Sequence, residues 1–382
     1  MKVICDALAL AEACSNVQRA VSTKASIPAI EGILMKAEDH ELTLTGYDLE
    51  VGITTSIEAR VEQEGSIILN ARLLCDILRR LPGESVSVEA DERQMTIIHS
   101  GEAEYSLIGI AADEYPELPS VTGGYPVTIA EELLKNMIRQ TIFAVAVNDS
   151  KEVHKGVKFE VENGTIRLIA VDGVRLAVRT EQIDYSGTEI SFVVPSKTLS
   201  EVTKLLGDEE GVVSMGVGKR HIVFEAGGYH IISRLLDGDF LDYKSAIPSN
   251  NATHVRVNTK LFIDSIERTS LLITDRLKSP VRCVFDENTI RISSITSLGS
   301  ANDKIDAVID GNRVEIGFNN RFMLEALKVV DTDEVRIELN GAVSPILILP
   351  PEGDSFLFLV LPVRLNCLLY TSPSPRDYAA SR

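Results

Sequence analysis

Apolar positions along the chain switch between a helical and a strand-like period, and the switching repeats three times. Residues at helical spacing, such as Leu133, Leu134, Met137 and Ile138, mark an amphipathic helix at 130–141, and segments 7–20 and 258–270 read the same way. In each unit strand-like runs follow, then a second short helix with a polar start, near Asn70, Ser196 and Asn319. An apolar strand precedes each of these starts, at 66–69, 191–194 and 314–318. The starts lie 126 and 123 residues apart, a repeat the length of one domain.

Alternating runs continue every unit, at 85–90 and 95–99, at 212–217 and 221–225, and at 334–339 and 345–349. Turn residues separate them: Asp91-Glu92-Arg93, Gly218-Lys219 and Asn340-Gly341. The mid-unit strand Leu42-Thr43-Leu44-Thr45-Gly46-Tyr47-Asp48 corresponds to Ile166-Arg167-Leu168-Ile169-Ala170-Val171-Asp172, and more loosely to Ile290-Arg291-Ile292-Ser293-Ser294-Ile295-Thr296. The pattern thus predicts six helices, about two dozen strands and three α+β domains of one design. Boundaries fall near Gly123-Gly124 and Ser249-Asn250-Asn251, giving 1–123, 124–250 and 251–365, with 366–382 left over. Few, short helices against antiparallel meanders imply sheets covered by helices on one face only.

Composition narrows the class. With 382 residues, 45% apolar and 25% charged, the chain can fill several cores. No apolar run approaches the roughly 20 residues that cross a bilayer. The opening Met1-Lys2-Val3-Ile4-Cys5 lacks the apolar stretch of a signal peptide, and Cys5, Cys14, Cys75, Cys283 and Cys367 are too widely spaced for a disulfide framework. A cytoplasmic protein with reduced thiols and no membrane partner is expected.

Candidate chemistry is sparse. The six histidines are scattered, none with Cys or His at metal-ligand spacing, so neither metal nor cofactor is expected. Gly216-Val217-Gly218-Lys219 looks like a phosphate loop only superficially, because no Ser or Thr follows and the segment lies between two strands. It reads as a hairpin turn. Cys14 and Cys75 fall on apolar helix faces, as small core residues do. The acid pairs Asp113-Glu114 and Asp208-Glu209-Glu210 sit in loops, where solvation is the ordinary state. Nothing here supports an enzyme.

Charge is unevenly placed. The total is −18, which by itself argues against nucleic acid and anionic membranes. Yet the six predicted helices (7–20, 70–81, 130–141, 196–206, 258–270, 319–329) hold 12 Lys/Arg and 8 Asp/Glu, a net of +4, leaving −22 for the rest. Arg72 and Arg79, Lys135 and Arg139, Lys197 and Lys204, and Arg321 and Lys328 stand four or seven apart, so each pair shares one side of its helix. For any one helix such a face is ordinary solvation. If all six helices lined one surface, it would be basic on an acidic molecule and could hold phosphates without reading bases.

Five segments, in order and spacing, carry a resemblance: Thr45-Gly46-Tyr47-Asp48-Leu49-Glu50, Val171-Asp172-Gly173-Val174-Arg175-Leu176-Ala177, Leu236-Asp237-Gly238-Asp239-Phe240-Leu241-Asp242-Tyr243, Ile316-Gly317-Phe318-Asn319 and Leu361-Pro362-Val363-Arg364-Leu365. From residue 1 to 365 the chain resembles the bacterial DNA polymerase III beta subunit family of replicative sliding clamps. That resemblance implies three clamp-type domains per subunit and a head-to-tail homodimeric ring, with helices inside and sheets outside. It also implies double-stranded DNA held without sequence preference. The partners implied are the DNA polymerase III alpha subunit, the clamp loader and other proteins with a clamp-binding motif. The role implied is non-catalytic, a raised effective concentration of polymerase at the primer end.

Carried over by position, the family's peptide pocket falls on Val171, Gly173, Val174, Arg175, Leu176, Leu241, Ser245, Ala246, Leu359, Leu361 and Val363, with Val153 and His154 at its edge. DNA contacts fall on Lys24 and Asn148 beside the helix cations Arg72, Arg79, Lys135, Arg139, Lys197, Lys204, Arg321 and Lys328. The subunit contact falls on Leu73, Ile77 and Tyr105 against Leu271 and Leu272, residues that pattern alone would assign to ordinary core. The chain departs from the family with Val171 and Val174 where Thr and His are common, Leu241 in place of a proline, and Ser245 where arginine is frequent. The implied pocket is more aliphatic. A divergent clamp-like scaffold outside bulk replication is the alternative function. Residues 366–382, with two Ser-Pro pairs and no periodicity, read as a disordered or non-native tail.

Overall fold

The computed structural model describes residues 1–121, 126–148, 151–207, 211–274 and 279–365; the domain boundary expected at Gly123-Gly124, the acidic run 208–210, Cys367 and the tail lie outside them. The described residues form six α-helices and 26 strands in an α+β arrangement.

Helix starts follow side-chain chemistry. Helix α1 (Ala7–Val17) is capped by Asp6, which accepts from the Ala9 N–H at 2.8 Å, and α2 (Ala71–Leu78) by Asn70, which accepts from Leu73 at 3.0 Å. Asn258 caps α5 (Thr259–Ser270) and Asn319 caps α6 (Asn320–Lys328) in the same way, each at 3.0 Å. Asn70, Asn258 and Asn319, expected to open their helices, are therefore the caps, whereas α1 opens at Ala7 as expected. Helices α3 (Glu131–Ile142) and α4 (Ser196–Leu205) start without a side-chain cap. Two ends fall short of expectation: α1 tightens into a 3-10 turn at Gln18–Ala20, and α2 stops before Leu81-Pro82-Gly83.

The chain divides into two compact units, one of residues 1–172 and 178–241, the other of 173–177 and the residues from 242 on. Two of the three sequence repeats thus share the first unit, and strand pairing joins them there. Strand Val51–Glu58 of the first repeat runs antiparallel to Tyr229–Arg234 of the second, with Tyr229 opposite Thr55 and Ser233 opposite Val51. This pairing completes an eight-stranded sheet. Side chains reinforce it: the Asn16 amide donates to the Tyr229 hydroxyl at 2.7 Å, and Lys197 Nζ reaches the Asp48 carboxylate at 2.6 Å. A second, five-stranded sheet of this unit ends on the edge strand Ala103–Ile108. Helices α1 and α2 pack together, burying Leu10, Ala13, Cys14 and Val17 against Leu74, Cys75 and Leu78.

In the second unit a four-stranded sheet runs in the order Gly299–Asp306, Thr289–Thr296, Val281–Asp286, Val314–Phe318, so Gly299–Asp306 is an edge. Helices α5 and α6 pack together beside it through Phe262, Ile266, Met323 and Leu327. The repeats agree in register as well as order. Leu42 faces Ile57, and 248 positions later Ile290 faces Ile305.

Candidate DNA-facing helices and docking surface

The helix cations lie off the buried stripes of their helices, and most touch a carboxylate. Arg79 is 3.2 Å from Asp76, Lys204 2.8 Å from Glu201, Arg321 2.8 Å from Glu325, and Lys328 2.6 Å from Glu267. Arg139 donates to Asn136 Oδ1 through Nε and Nη2, at 3.2 and 2.7 Å. Arg72, Lys24 and Asn148 are exposed, whereas Lys135 is half-buried. Exposed ion pairs are worth about 0–1 kcal/mol each. A phosphate can therefore displace these carboxylates at little cost. Arg19, Arg79 and Arg80 lie beyond the observed helix ends, so the six helices hold 9 Lys/Arg and 8 Asp/Glu, a net of +1 where the expected ranges had +4.

Several residues expected at the docking pocket are placed by two strand ends of the second unit. The Leu361 N–H donates to the Val174 carbonyl at 2.9 Å, and the Val363 N–H to the Gly317 carbonyl at 2.8 Å. A side chain at position 317 would collide with Leu365 and the Val363 carbonyl, so Gly317 permits this close approach. Val174, Leu361 and Val363 stay exposed, while Leu176, at 2% exposure, and Leu359 are buried. Gly173 takes a left-handed φ of +86° with open space around it. Ser245 and Ala246 are exposed on the 3-10 turn Lys244–Ala246, where Ser245 Oγ donates to the Asp242 carbonyl at 2.8 Å.

Arg175 is buried at 8% exposure; it pairs with Glu325 and lies 4.6 Å from the centroid of the Phe322 ring. Sequence reasoning missed Phe322 and Glu325. The Arg321 to Glu325 spacing was a signal for one contact of this carboxylate, but nothing local announces a partner 150 residues away.

Of the residues expected at the pocket that belong to the first unit, Val153, His154 and Val171 are buried and Leu241 is exposed. The His154 ring meets Phe240 edge-on at 5.6 Å, anchoring the loop that carries Leu241. A cleft of about 1120 Å³ in this unit is lined in part by Lys158, Phe192, Arg220, Leu236 and Phe240. The residues expected at a subunit contact are unevenly placed. Leu73 and Leu271 are exposed, Tyr105 and Leu272 half-buried, and Ile77 is buried in its own helix pair, where it offers little surface.

Among the described residues no three His, Cys, Asp or Glu groups gather as metal ligands, and no helix is long and apolar enough to cross a membrane. Cys5, Cys14, Cys75 and Cys283 are free and buried. Burial pushes the Cys5 thiol up to about 12 and the Cys75 thiol up to about 11, away from thiolate chemistry at neutral pH. Gly218, Lys219 and Arg220 form the hairpin turn between Val212–Val217 and His221–Ala226.

Comparison with known proteins places this geometry. Three models of the DNA polymerase III beta subunit match in series: the N-terminal domain over 1–119, the central domain over 128–242 and the C-terminal domain over 244–364. The beta sliding clamp of Bacillus subtilis is 36% identical over 367 residues, covering 93% of this chain and 97% of that protein. That of Staphylococcus aureus is 32% identical over 356 residues, covering 91% and 94%. Among solved structures, the Bacillus subtilis DNA polymerase sliding clamp aligns with a TM-score of 0.94 at 36% identity, covering 96% of this chain and 99% of that one. A putative DNA polymerase III beta subunit from Eubacterium rectale gives 0.92 at 32%, covering 96% and 100%. With three domain models in register from residue 1 to 364 and full-length likeness in sequence and fold, the chain belongs to the DNA polymerase III beta subunit family of sliding clamps.

Proposed function

We propose that two copies of this chain close head to tail into a ring around double-stranded DNA and tether the replicative polymerase to it. The observation that carries this reading is a junction left open. Strand Ala103–Ile108 stands in the first repeat where Tyr229–Arg234 stands in the second: Ala103 faces Ser100 across its hairpin as Tyr229 faces Ala226. Strand Gly299–Asp306 likewise stands where Val51–Glu58 does. The earlier pair is joined inside the first unit, whereas both later strands are sheet edges. Unpaired edges invite strand addition, and a second copy is the partner whose edges are complementary.

Transferring the register of the joined pair puts Tyr105 opposite Ala301 of the partner subunit, as Ile231 is opposite Ile53. The pleat agrees, since Tyr105 and Ala301 are both half-buried while Glu104 and Asn302 are both exposed. Leu73, Leu271 and Leu272 then become contact residues. A head-to-tail contact of this kind must close with a few copies or grow into a filament. A Tyr105→Cys/Ala301→Cys variant should give a covalent dimer with a short bismaleimide. Tyr105→Cys/Asn302→Cys should not, because neighbouring positions point to opposite faces. Equal yields would defeat the register and the closure.

In the ring the cations Arg72, Arg79, Lys135, Arg139, Lys197, Lys204, Arg321 and Lys328, with Lys24 and Asn148, would meet phosphates. The acidic remainder of the chain would keep DNA off the outside. The alpha subunit, the clamp loader and other proteins with a clamp-binding motif would dock on Val174, Leu361 and Val363, with the remaining docking residues as support. The protein would work in the cytoplasm and without catalysis. Its domains would meet near residues 123 and 250.

A further inference from the structure

The second helix of each repeat is built to one plan. Counted from Ala71, Ser196 and Asn320, the second place holds Arg72, Lys197 and Arg321, the third Leu73, Thr198 and Phe322, the sixth Asp76, Glu201 and Glu325, and the ninth Arg79, Lys204 and Lys328. In two repeats the acid serves the cation three residues on, Asp76 with Arg79 at 3.2 Å and Glu201 with Lys204 at 2.8 Å. The third repeat breaks this arrangement. Lys328 turns to Glu267 at 2.6 Å, and Glu325 is shared between Arg321 Nε, at 2.8 Å, and the buried guanidinium of Arg175.

Phe322 departs from the plan in the same direction. Its counterparts are Leu73, which is exposed, and Thr198, which is buried in a 2.7 Å hydrogen bond with Ser233. Phe322 instead supplies an aromatic face under Arg175. Both departures in this helix therefore converge on one arginine. The Glu325 carboxyl lies below its usual range: burial works against ionisation, but the hydrogen bonds and charges of Arg321 and Arg175 outweigh it.

We propose that Glu325 is a positioning residue of the docking surface. It fixes Arg175 between a carboxylate and the Phe322 ring, and so fixes the backbone at Val174, whose carbonyl receives the Leu361 N–H. Val174 and Leu361 are exposed apolar residues of that surface, so their spacing depends on how Arg175 is held. A buried guanidinium that loses this carboxylate loses its charged partner on α6, and the strand end it steadies is loosened. This inference rests on the docking reading above.

The test uses the full-length protein and a labelled peptide of Gln-x-x-Leu-Phe type, followed by fluorescence anisotropy. Glu325→Gln keeps the side chain's size and removes its charge. It should weaken peptide binding about tenfold while the dimer persists. Arg175→Gln should do the same, and the double variant should be no worse than either single one, a coupling that general loosening of the fold would not produce. Unchanged affinity in Glu325→Gln, or losses that multiply, would overturn the proposal. If Glu325→Gln does not fold, Phe322→Leu restores the residue of the first repeat; its loss of affinity should vanish in the Arg175→Gln background, and a loss that persists there would overturn the proposal. A wild-type protein that binds no peptide would instead defeat the docking reading itself.

Discussion

Changing Leu271 to Asp isolates the subunit contact from the stability of the subunit. Leu271 follows α5 and is 80% exposed in the single chain, so its side chain contributes little to the core. A carboxylate at a helix C-terminus costs the subunit roughly 0.5 kcal/mol through the helix dipole. In the proposed ring the same residue is covered. Losing a buried leucine forfeits about 2 kcal/mol, and leaving an unpaired charge in its place adds at least about 1 kcal/mol. A head-to-tail ring contains two such contacts, so the effect on association is doubled to about 6 kcal/mol, roughly 10⁴-fold in the dimer dissociation constant. Sedimentation velocity from nanomolar to micromolar protein reads this directly, with the wild type near twice 41.8 kDa and the variant at one copy. Val343→Asp is the control, because Val343 is 81% exposed but lies on no proposed contact. A dimer of unchanged strength in Leu271→Asp, with Val343→Asp behaving identically, would refute the placement.

Other outcomes follow from the same geometry. Replacing Lys135, Arg139, Lys197 and Lys204 with Gln removes these cations from both copies of the ring, and should weaken retention on DNA and flatten its salt dependence by up to about seven units of slope, with peptide binding unchanged in an anisotropy titration. Leu361→Asp should weaken peptide binding at least about tenfold with little change in melting temperature, since Leu361 is exposed. Leu176→Asp should instead lower the melting temperature, because it buries a carboxylate. Cys5, Cys14, Cys75 and Cys283 should resist a thiol reagent at neutral pH until denaturant is added, as buried thiols with raised values do.

Much of the fold was legible because local chemistry dictates it. Asn70, Asn258 and Asn319 announce helix starts through the hydrogen bond each side chain can make, the strands 85–90, 212–217 and 334–339 appear where alternation placed them, and 314–318 where an apolar run did. Ends of helices were less legible, since the 3-10 turn at Gln18–Ala20 continues the same apolar spacing. Exposure of the docking residues was not legible. Leu176 and Leu361 are both leucines in one motif set, yet one fills a core and the other faces solvent, and only packing separates them. The partners of the helix cations were hidden for a related reason: Asp48 for Lys197 and Glu267 for Lys328 come from distant segments. Three repeats were visible in the sequence, but the strand pairing that joins the first to the second is non-local.

The most direct test of the central claim is topological. The protein would be loaded onto nicked circular DNA with a clamp loader, and the DNA then cut once with a restriction enzyme while bound protein is followed by gel filtration. A closed ring should remain with the circle at moderate salt and leave rapidly once ends exist. Protein that stays on linear DNA as long as on the circle, or that never outlasts simple electrostatic binding on the circle, would contradict the account.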